Sequence, residues 1–163
     1  MERTGKEFDA DEHMKQVLDY LDEYINHNGM PIKKGLMELL QYAKDNKIKI
    51  AIGTSEKYER VKFYLDKANI NESTFDAIVC GDMVKNGKPA PDIYLKSCEE
   101  ISVKPEEAIV CEDAPNGIKA AYLAGTKPVM IIDKIEPTAE IRTMLCVKPL
   151  DSLIQVKELL NEI

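Results

Sequence analysis

Short apolar runs alternate with longer amphipathic segments along the chain, and this alternation constrains the fold more than any other feature. Strands that alternate with helices at short intervals predict a parallel sheet that carries helices on both faces. Runs that are apolar throughout are typical of strands buried on both sides. We therefore predict an α/β fold with three layers. The predicted strands are 48–52, 76–80, 108–111 and 129–132, with a short fifth strand at 143–147.

The first 29 residues contain one long amphipathic helix, with apolar side chains at helical spacing over 14–25. Asp9 followed by Glu12 three residues later is typical of a helix start, and Asn28-Gly29 is typical of a helix end. We expect three parts: a frayed start at 1–7, a helical segment at 8–29 and one core at 30–163.

Charge and cysteine usage exclude several classes of function. The net charge is −7 and no basic patch outweighs it, so we expect no nucleic-acid partner. We find no signal peptide and no apolar run of membrane-spanning length, so we expect no membrane partner. The four cysteines and two histidines lack zinc-site spacing. Cys80 and Cys111 lie inside apolar runs, which predicts buried, reduced thiols and a cytoplasmic location.

Polar residues follow the first two predicted strands, where ligands of parallel sheets bind. Thr54 and Ser55 come after the first strand and before a helix, and such a helix N-terminus favours anions. Simple helix capping would explain the same residues. Lys88 follows the second strand between Gly87 and Pro89, which aim its amine so that it could neutralise a phosphoryl group. A solvated surface lysine is the alternative.

An acidic pair, Glu112-Asp113, follows the third strand. Carboxylates at the end of a buried strand are costly without a compensating cation, and hard oxygen ligands suit Mg²⁺. The alternative is an acidic cap for the helix that starts near Pro115.

The hydroxyls, the lysine and the acids appear in order, each after a strand and before a helix. In this respect the sequence resembles the haloacid dehalogenase superfamily, in particular its subfamily I phosphatases and β-phosphoglucomutase. The stretches that carry the resemblance are IKIAIGTS, GKPAPDIY, CEDAPNGIKAAYLAG and MPIKKGLMELLQYAKDNK. The resemblance covers nearly everything from about residue 8 onwards. It implies a Rossmann-like sheet in which the segment 8–29 is the last helix of a helical cap domain.

The resemblance also implies residue roles in a Mg²⁺-dependent phosphatase acting on a small phosphorylated metabolite, or in a sugar phosphomutase. Thr54 would bind the phosphoryl group through its hydroxyl, assisted by the Ser55 backbone N–H. Lys88 would balance the charge of nucleophile and phosphoryl group. Asp113 would hold Mg²⁺ with support from Glu112. Asn116 and Gly117 would shape the loop that carries Glu112 and Asp113, which we call the acid loop.

The family's first motif, an apolar strand that ends in Asp-x-Asp and supplies the nucleophile, has no good match here. Asp9 and Asp11 match the Asp-x-Asp spacing of this motif, but the polar residues before them do not form a buried strand. We interpret Asp9 as a helix cap. We therefore expect the chain by itself to be inactive in phosphoryl transfer.

The family's first strand lies in the middle of the sheet, between the strands at 48–52 and 108–111. Its absence predicts a gap of the order of the 4.8 Å strand spacing, with unpaired backbone groups on both sides. Three hypotheses follow. The chain is an incomplete phosphatase, a module that binds inorganic phosphate and Mg²⁺ without chemistry, or an interaction protein whose gap accepts a strand from a partner chain or from another copy.

Overall fold

The computed structural model describes residues 9–161, and the expected frayed start at 1–7 lies outside the described residues. Four short parallel strands form two separate two-stranded sheets. In the first sheet Ala51 lies opposite Ala77, and in the second Ile109 lies opposite Lys127. The strands are β1 (Ala51–Gly53), β2 (Ala77–Val79), β3 (Ile109–Glu112) and β4 (Lys127–Met130).

Seven α-helices surround the sheets within residues 9–161, together with three short 3₁₀ turns. They are α1 (Ala10–Asn28), α2 (Leu36–Asp45), α3 (Tyr58–Lys67), α4 (Asp92–Glu100), α5 (Pro115–Leu123), α6 (Ala139–Arg142) and α7 (Leu153–Leu160). The helices α4 and α5 pack on one face against Val79 and Val110. The helices α2, α3 and α7 pack on the other face. The predicted three-layer α/β fold with parallel strands is confirmed.

No strand among residues 9–161 lies between β1 and β3, so the two sheets do not share a ladder. The helix layers join them instead. Val79 of the first sheet and Val110 of the second sheet both contact the cluster built on α4 and α5. On the opposite face Leu36 of α2 packs in the clusters of both sheets. Burial of aliphatic side chains, rather than strand pairing, therefore holds the halves together.

Three strand predictions were wrong in detail. The fourth strand covers Lys127–Met130 rather than 129–132. Residues 143–147 are irregular, and only a single bridge, between Ile131 and Leu150, extends the second sheet on that side. The first strand begins at Ala51 rather than at residue 48, where Ile48 is exposed. Regular pairing with β2 covers only the half-buried residues Ala51–Gly53, whereas Ile48 and Lys49 are exposed.

Helix α1 confirms the helix-cap interpretation of Asp9. The Asp9 carboxylate accepts hydrogen bonds from the backbone N–H groups of Asp11 and Glu12, and Gly29 ends the helix with φ of 81°. The helix is attached to the core near its C-terminus by buried Ile25 and by an ion pair from Asp22 to Arg60 of α3. The assignment of 8–29 to a cap domain stays a prediction.

The cysteines follow the prediction only in part. All four thiols are free, and Cys80 is fully buried, but Cys111 is exposed. Cys111 lies on β3, whose edge towards β1 is not covered by a strand of the described chain. None of the helices within residues 9–161 is both long and apolar enough to cross a membrane.

Candidate phosphate-binding site

The Lys88 side chain joins the carboxyl ends of the two sheets. Its ammonium donates to the carbonyl oxygen of Gly53, at the end of β1, over 3.1 Å. It also donates to Oε1 of Glu112, at the end of β3, over 2.5 Å. Only 12% of the Lys88 side chain is exposed. One largely buried ammonium therefore bridges the space that separates the two sheets.

The loop before α4 aims this lysine. Asp92, the first residue of α4, accepts hydrogen bonds from both the backbone N–H and the side-chain amide of Asn86. The Lys88 ammonium then lies 4.7 Å from the ring centroid of Tyr94, in the first turn of the same helix. A cation over an aromatic face is attracted by the ring quadrupole. The loop, the helix and the ring thus restrict where the amine can point.

Glu112 is the most heavily bonded carboxylate of the site. Its Oε1 accepts from Lys88 and from the hydroxyl of Tyr94, and its Oε2 accepts from the backbone N–H groups of Asp113 and Ala114. Burial works to raise the pKa of Glu112, but the charge and hydrogen bond of Lys88, with the other donors, hold that pKa below its ordinary value. Burial and the negative charge of Glu112 raise the pKa of Tyr94, so its hydroxyl remains a donor.

Gly117 makes room for this carboxylate. A Cβ atom at residue 117 would overlap the carboxyl group of Glu112. Gly117 is buried in the first turn of α5, directly below the acid loop. Asn116 beside it is exposed and makes no hydrogen bond through its side chain with any other residue of 9–161, so its predicted role in shaping the loop remains a prediction.

Thr54 lies directly after Gly53, next to the Lys88 bond. Its backbone N–H donates to Val79, and its hydroxyl oxygen accepts from the N–H of Glu56. The hydroxyl hydrogen therefore remains available to a ligand. The helix predicted after Thr54 and Ser55 is present, but it begins at Tyr58 with Lys57 at its N-cap, so neither hydroxyl residue caps it. Ser55 is exposed, and its backbone lies close to Gly81. A Cβ atom at residue 81 would overlap the Ser55 carbonyl group.

Asp113 pairs with the linker between α1 and α2. Its carboxylate lies 3.7 Å from the ammonium of Lys33, which is also 3.4 Å from Asp133, just beyond β4. Sequence reasoning missed both Lys33 and Asp133: Lys33 lies in the stretch MPIKKGLMELLQYAKDNK, but nothing in that stretch indicates a contact with the acids, and Asp133 belongs to none of the quoted stretches. Sequence reasoning also missed Tyr94, which lies in the stretch GKPAPDIY and whose hydroxyl donates to Glu112.

The donor set fits Mg²⁺ only in combination with other ligands. No group of three acidic, histidine or cysteine side chains suited to a metal occurs within the part of the chain that is described. Both oxygens of Glu112 are already bonded, which leaves Asp113, whose side chain is 42% exposed. Mg²⁺ commonly binds one or two carboxylates and completes its shell with phosphate oxygens and water. Asp113 can supply such a carboxylate.

Sequence comparison matches residues 1–131 to a family described as haloacid dehalogenase-like hydrolase. The chain is 35% identical over 130 residues to the phosphorylated carbohydrates phosphatase of Thermotoga maritima, covering 77% of this chain and 60% of that protein. It thus spans less than two thirds of that relative.

Two solved structures are also similar to this chain. One is a point mutant of CbbY from Rhodobacter sphaeroides bound to xylulose-1,5-bisphosphate, with a TM-score of 0.75 and 27% identity. The match covers 93% of this chain and 68% of that one. The other is β-phosphoglucomutase of Clostridium difficile, with a TM-score of 0.75, 28% identity and coverage of 95% and 68%.

Proposed function

The chain belongs to the haloacid dehalogenase-like hydrolase family, and from that premise we propose that it forms the phosphoryl-binding part of a phosphatase for small phosphorylated metabolites. The observation that carries the proposal is the position of Lys88, which meets Gly53 and Glu112 beside Thr54. A lysine ammonium has three N–H donors. Two are engaged, so one remains for a phosphate oxygen.

A phosphoryl group at this point would meet several donors at once. The third N–H of Lys88 and the free hydroxyl hydrogen of Thr54 can donate to its oxygens, and the exposed turn at Ser55 offers its backbone N–H. Charge-assisted hydrogen bonds of this kind are stronger than those between neutral groups. Glu112 and Tyr94 hold the lysine in place without touching the ligand.

We further propose that Asp113 contributes a carboxylate ligand to Mg²⁺, with Glu112 as a supporting group that fixes the acid loop. When bound, the cation would neutralise phosphate charge. The phosphate itself would complete the metal's ligand shell, because the described residues offer few free carboxylates. Metal and phosphate should therefore bind together better than either binds alone.

The substrate class follows from the relatives. The Thermotoga maritima relative is named for phosphorylated carbohydrates, and the CbbY structure contains a sugar bisphosphate. We propose a phosphorylated sugar or a metabolite of similar size as the ligand. A sugar phosphomutase is the alternative, favoured by the β-phosphoglucomutase structure.

Turnover needs an attacking carboxylate, and the resemblance assigns that task to an aspartate on a strand. Glu112 is the only carboxylate of residues 9–161 that pairs with Lys88, and it is held by four donors. Asp9 is engaged in capping α1. We propose that the described residues bind phosphate but do not hydrolyse a phosphate ester.

Phosphate binding can be measured by thermal unfolding. With inorganic phosphate at about ten times its Kd, linkage predicts stabilisation of about 1.4 kcal/mol and a rise in Tm of about 3–5 °C. Lys88→Met and Thr54→Val should each abolish most of this rise, whereas Lys85→Met, an exposed lysine of the same loop, should retain it. Equal shifts in all four proteins would contradict the proposal.

The split sheet favours a second candidate, a module that accepts an added strand. The facing edges of β1 and β3 present backbone groups that no described strand pairs. An extended segment of apolar residues would fill the gap. We propose that this segment comes from a partner chain or another copy.

Light scattering tests self-association through this gap. We expect a dimer or larger species at micromolar concentration. In that species the thiol of Cys111 on β3 should react more slowly with an alkylating reagent than it does after dilution to the monomer, whereas the rate for Cys146 should not change. Both thiols are exposed in the single chain. A stably folded monomer at every concentration would exclude association through this edge.

A further inference from the structure

Lys33 lies between the carboxylates of Asp113 and Asp133, which belong to the loops after β3 and β4. Its ammonium lies 3.7 Å from Asp113 and 3.4 Å from Asp133, so one cation faces the carboxylates that follow β3 and β4. The backbone beside it is fixed. The carbonyl of Lys34 accepts from the N–H of Leu153 in α7, and Gly35 leaves no room for a side chain against Ile154. The Lys33 side chain therefore extends towards the acids from an anchored position.

We propose that Lys33 competes with a divalent cation for Asp113 and so sets the metal affinity of the site. This inference depends on the proposed role of Asp113 as a cation ligand. An ammonium and a divalent cation cannot both lie beside one carboxylate without strong repulsion. When the metal binds, the Lys33 side chain must move away. A cleft of about 410 Å³, lined by Lys33, Ile132 and Asp133, offers the space.

The competition has a functional consequence. A site that carries its own cation binds free Mg²⁺ weakly, because the metal must displace Lys33. A bound phosphate adds negative charge at the neighbouring Lys88 and Thr54, which favours the doubly charged metal over the singly charged ammonium. Lys33 would thus make metal binding depend on phosphate and keep the empty acid loop charge-balanced.

A pure surface ion pair would behave differently. Exposed pairs contribute little to stability, and the Lys33 side chain is 37% exposed. Removal of Lys33 should therefore leave the free energy of unfolding nearly unchanged while metal affinity changes. The neighbouring Lys34 provides a matched control, because it is exposed and makes no ion pair with any described residue.

The test is titration of the purified chain with Mn²⁺, followed by electron paramagnetic resonance, and with Mg²⁺ by calorimetry. We expect Lys33→Gln to bind each metal about three- to tenfold more tightly than the wild type. Lys33→Arg and Lys34→Gln should bind like the wild type. Urea unfolding should show that all variants are folded.

Other outcomes would overturn the inference. Equal tightening by Lys33→Gln and Lys34→Gln would indicate a general effect of net charge. Metal binding that is the same in the wild type and Lys33→Gln would reject the competition and leave the proposed function intact. If neither protein binds Mn²⁺ or Mg²⁺, with or without inorganic phosphate, the metal-binding part of the proposed function fails as well.

Discussion

Replacement of Glu112 by alanine is expected to lower the free energy of unfolding by about 3–5 kcal/mol, the cost of breaking a buried ion pair from one side. The side chains of Glu112 and Lys88 are only 11% and 12% exposed, so water cannot readily replace the lost partner. The change would also remove the acceptor of Tyr94 and of two backbone N–H groups. Urea denaturation at neutral pH measures the effect.

Three further variants separate the causes. Tyr94→Phe removes a single hydroxyl and should cost about 1 kcal/mol. Glu112→Gln keeps the shape but loses the charge, so its cost should lie between those of Tyr94→Phe and Glu112→Ala. Adding Lys88→Met to Glu112→Gln removes the unpaired ammonium and should recover part of the loss. A Glu112→Ala protein as stable as Tyr94→Phe would show that the pair is solvated.

The same pair predicts how stability depends on pH. The pKa of Glu112 is lower in the folded chain than its ordinary value of 4.5. A group of this kind contributes its full stabilisation above the unfolded pKa and loses it as the pH falls through the folded pKa. Below about pH 4.5 the wild type should therefore lose stability faster than Glu112→Gln. Parallel losses in the two proteins would assign acid unfolding to other carboxylates.

Much of the site could be predicted from the sequence because the rules that place it are general. The carboxyl ends of parallel strands meet at one edge, so Lys88 in the loop that follows β2 and Glu112 at the end of β3 were expected to lie near each other. Capping is local as well, and Asp9 bonds to residues two and three positions away. Both features depend on short stretches of chain whose preference for a strand end or a helix start can be recognised from the sequence alone.

Pairings between distant segments could not be predicted in this way. Lys33 meets Asp113 and Asp133 only because α7 anchors the linker, and nothing in the linker sequence indicates that contact. The role of Glu112 was likewise open. The sequence allowed a metal ligand or a helix cap, and in the structure its side chain binds N–H groups before α5 while also pairing with Lys88. Packing decides between such alternatives.

The incomplete sheet explains the remaining errors. Exposure of Cys111 was not predicted, because an apolar run normally indicates a strand covered on both sides. That rule assumes a neighbouring strand, and the described residues place none between β3 and β1. The irregular segment 143–147 belongs to the opposite margin, where one bridge replaces a ladder. Strand patterns thus predict pairing reliably only where the neighbours are present.

Replacement of Gly117 by alanine is the second change with a large expected effect. In an ordinary helix the substitution would stabilise by about 0.5–1 kcal/mol. Here the added Cβ would overlap both Cδ of Glu112 and Oε1, the oxygen that accepts from Lys88. The carboxylate can move away only by giving up its hydrogen bonds. We expect a net loss of about 1–3 kcal/mol, typical of overpacking.

The same variant should also lose the Tm rise caused by phosphate, because a displaced Glu112 no longer holds Lys88 between the two sheets. Gly87→Ala is the matched control, since its added Cβ meets nothing within 4 Å and the residue lies in the Lys88 loop itself. It should retain both stability and the phosphate response. A Gly117→Ala protein that keeps both would mean that Glu112 does not position Lys88. The buried pair would then be separable from phosphate binding.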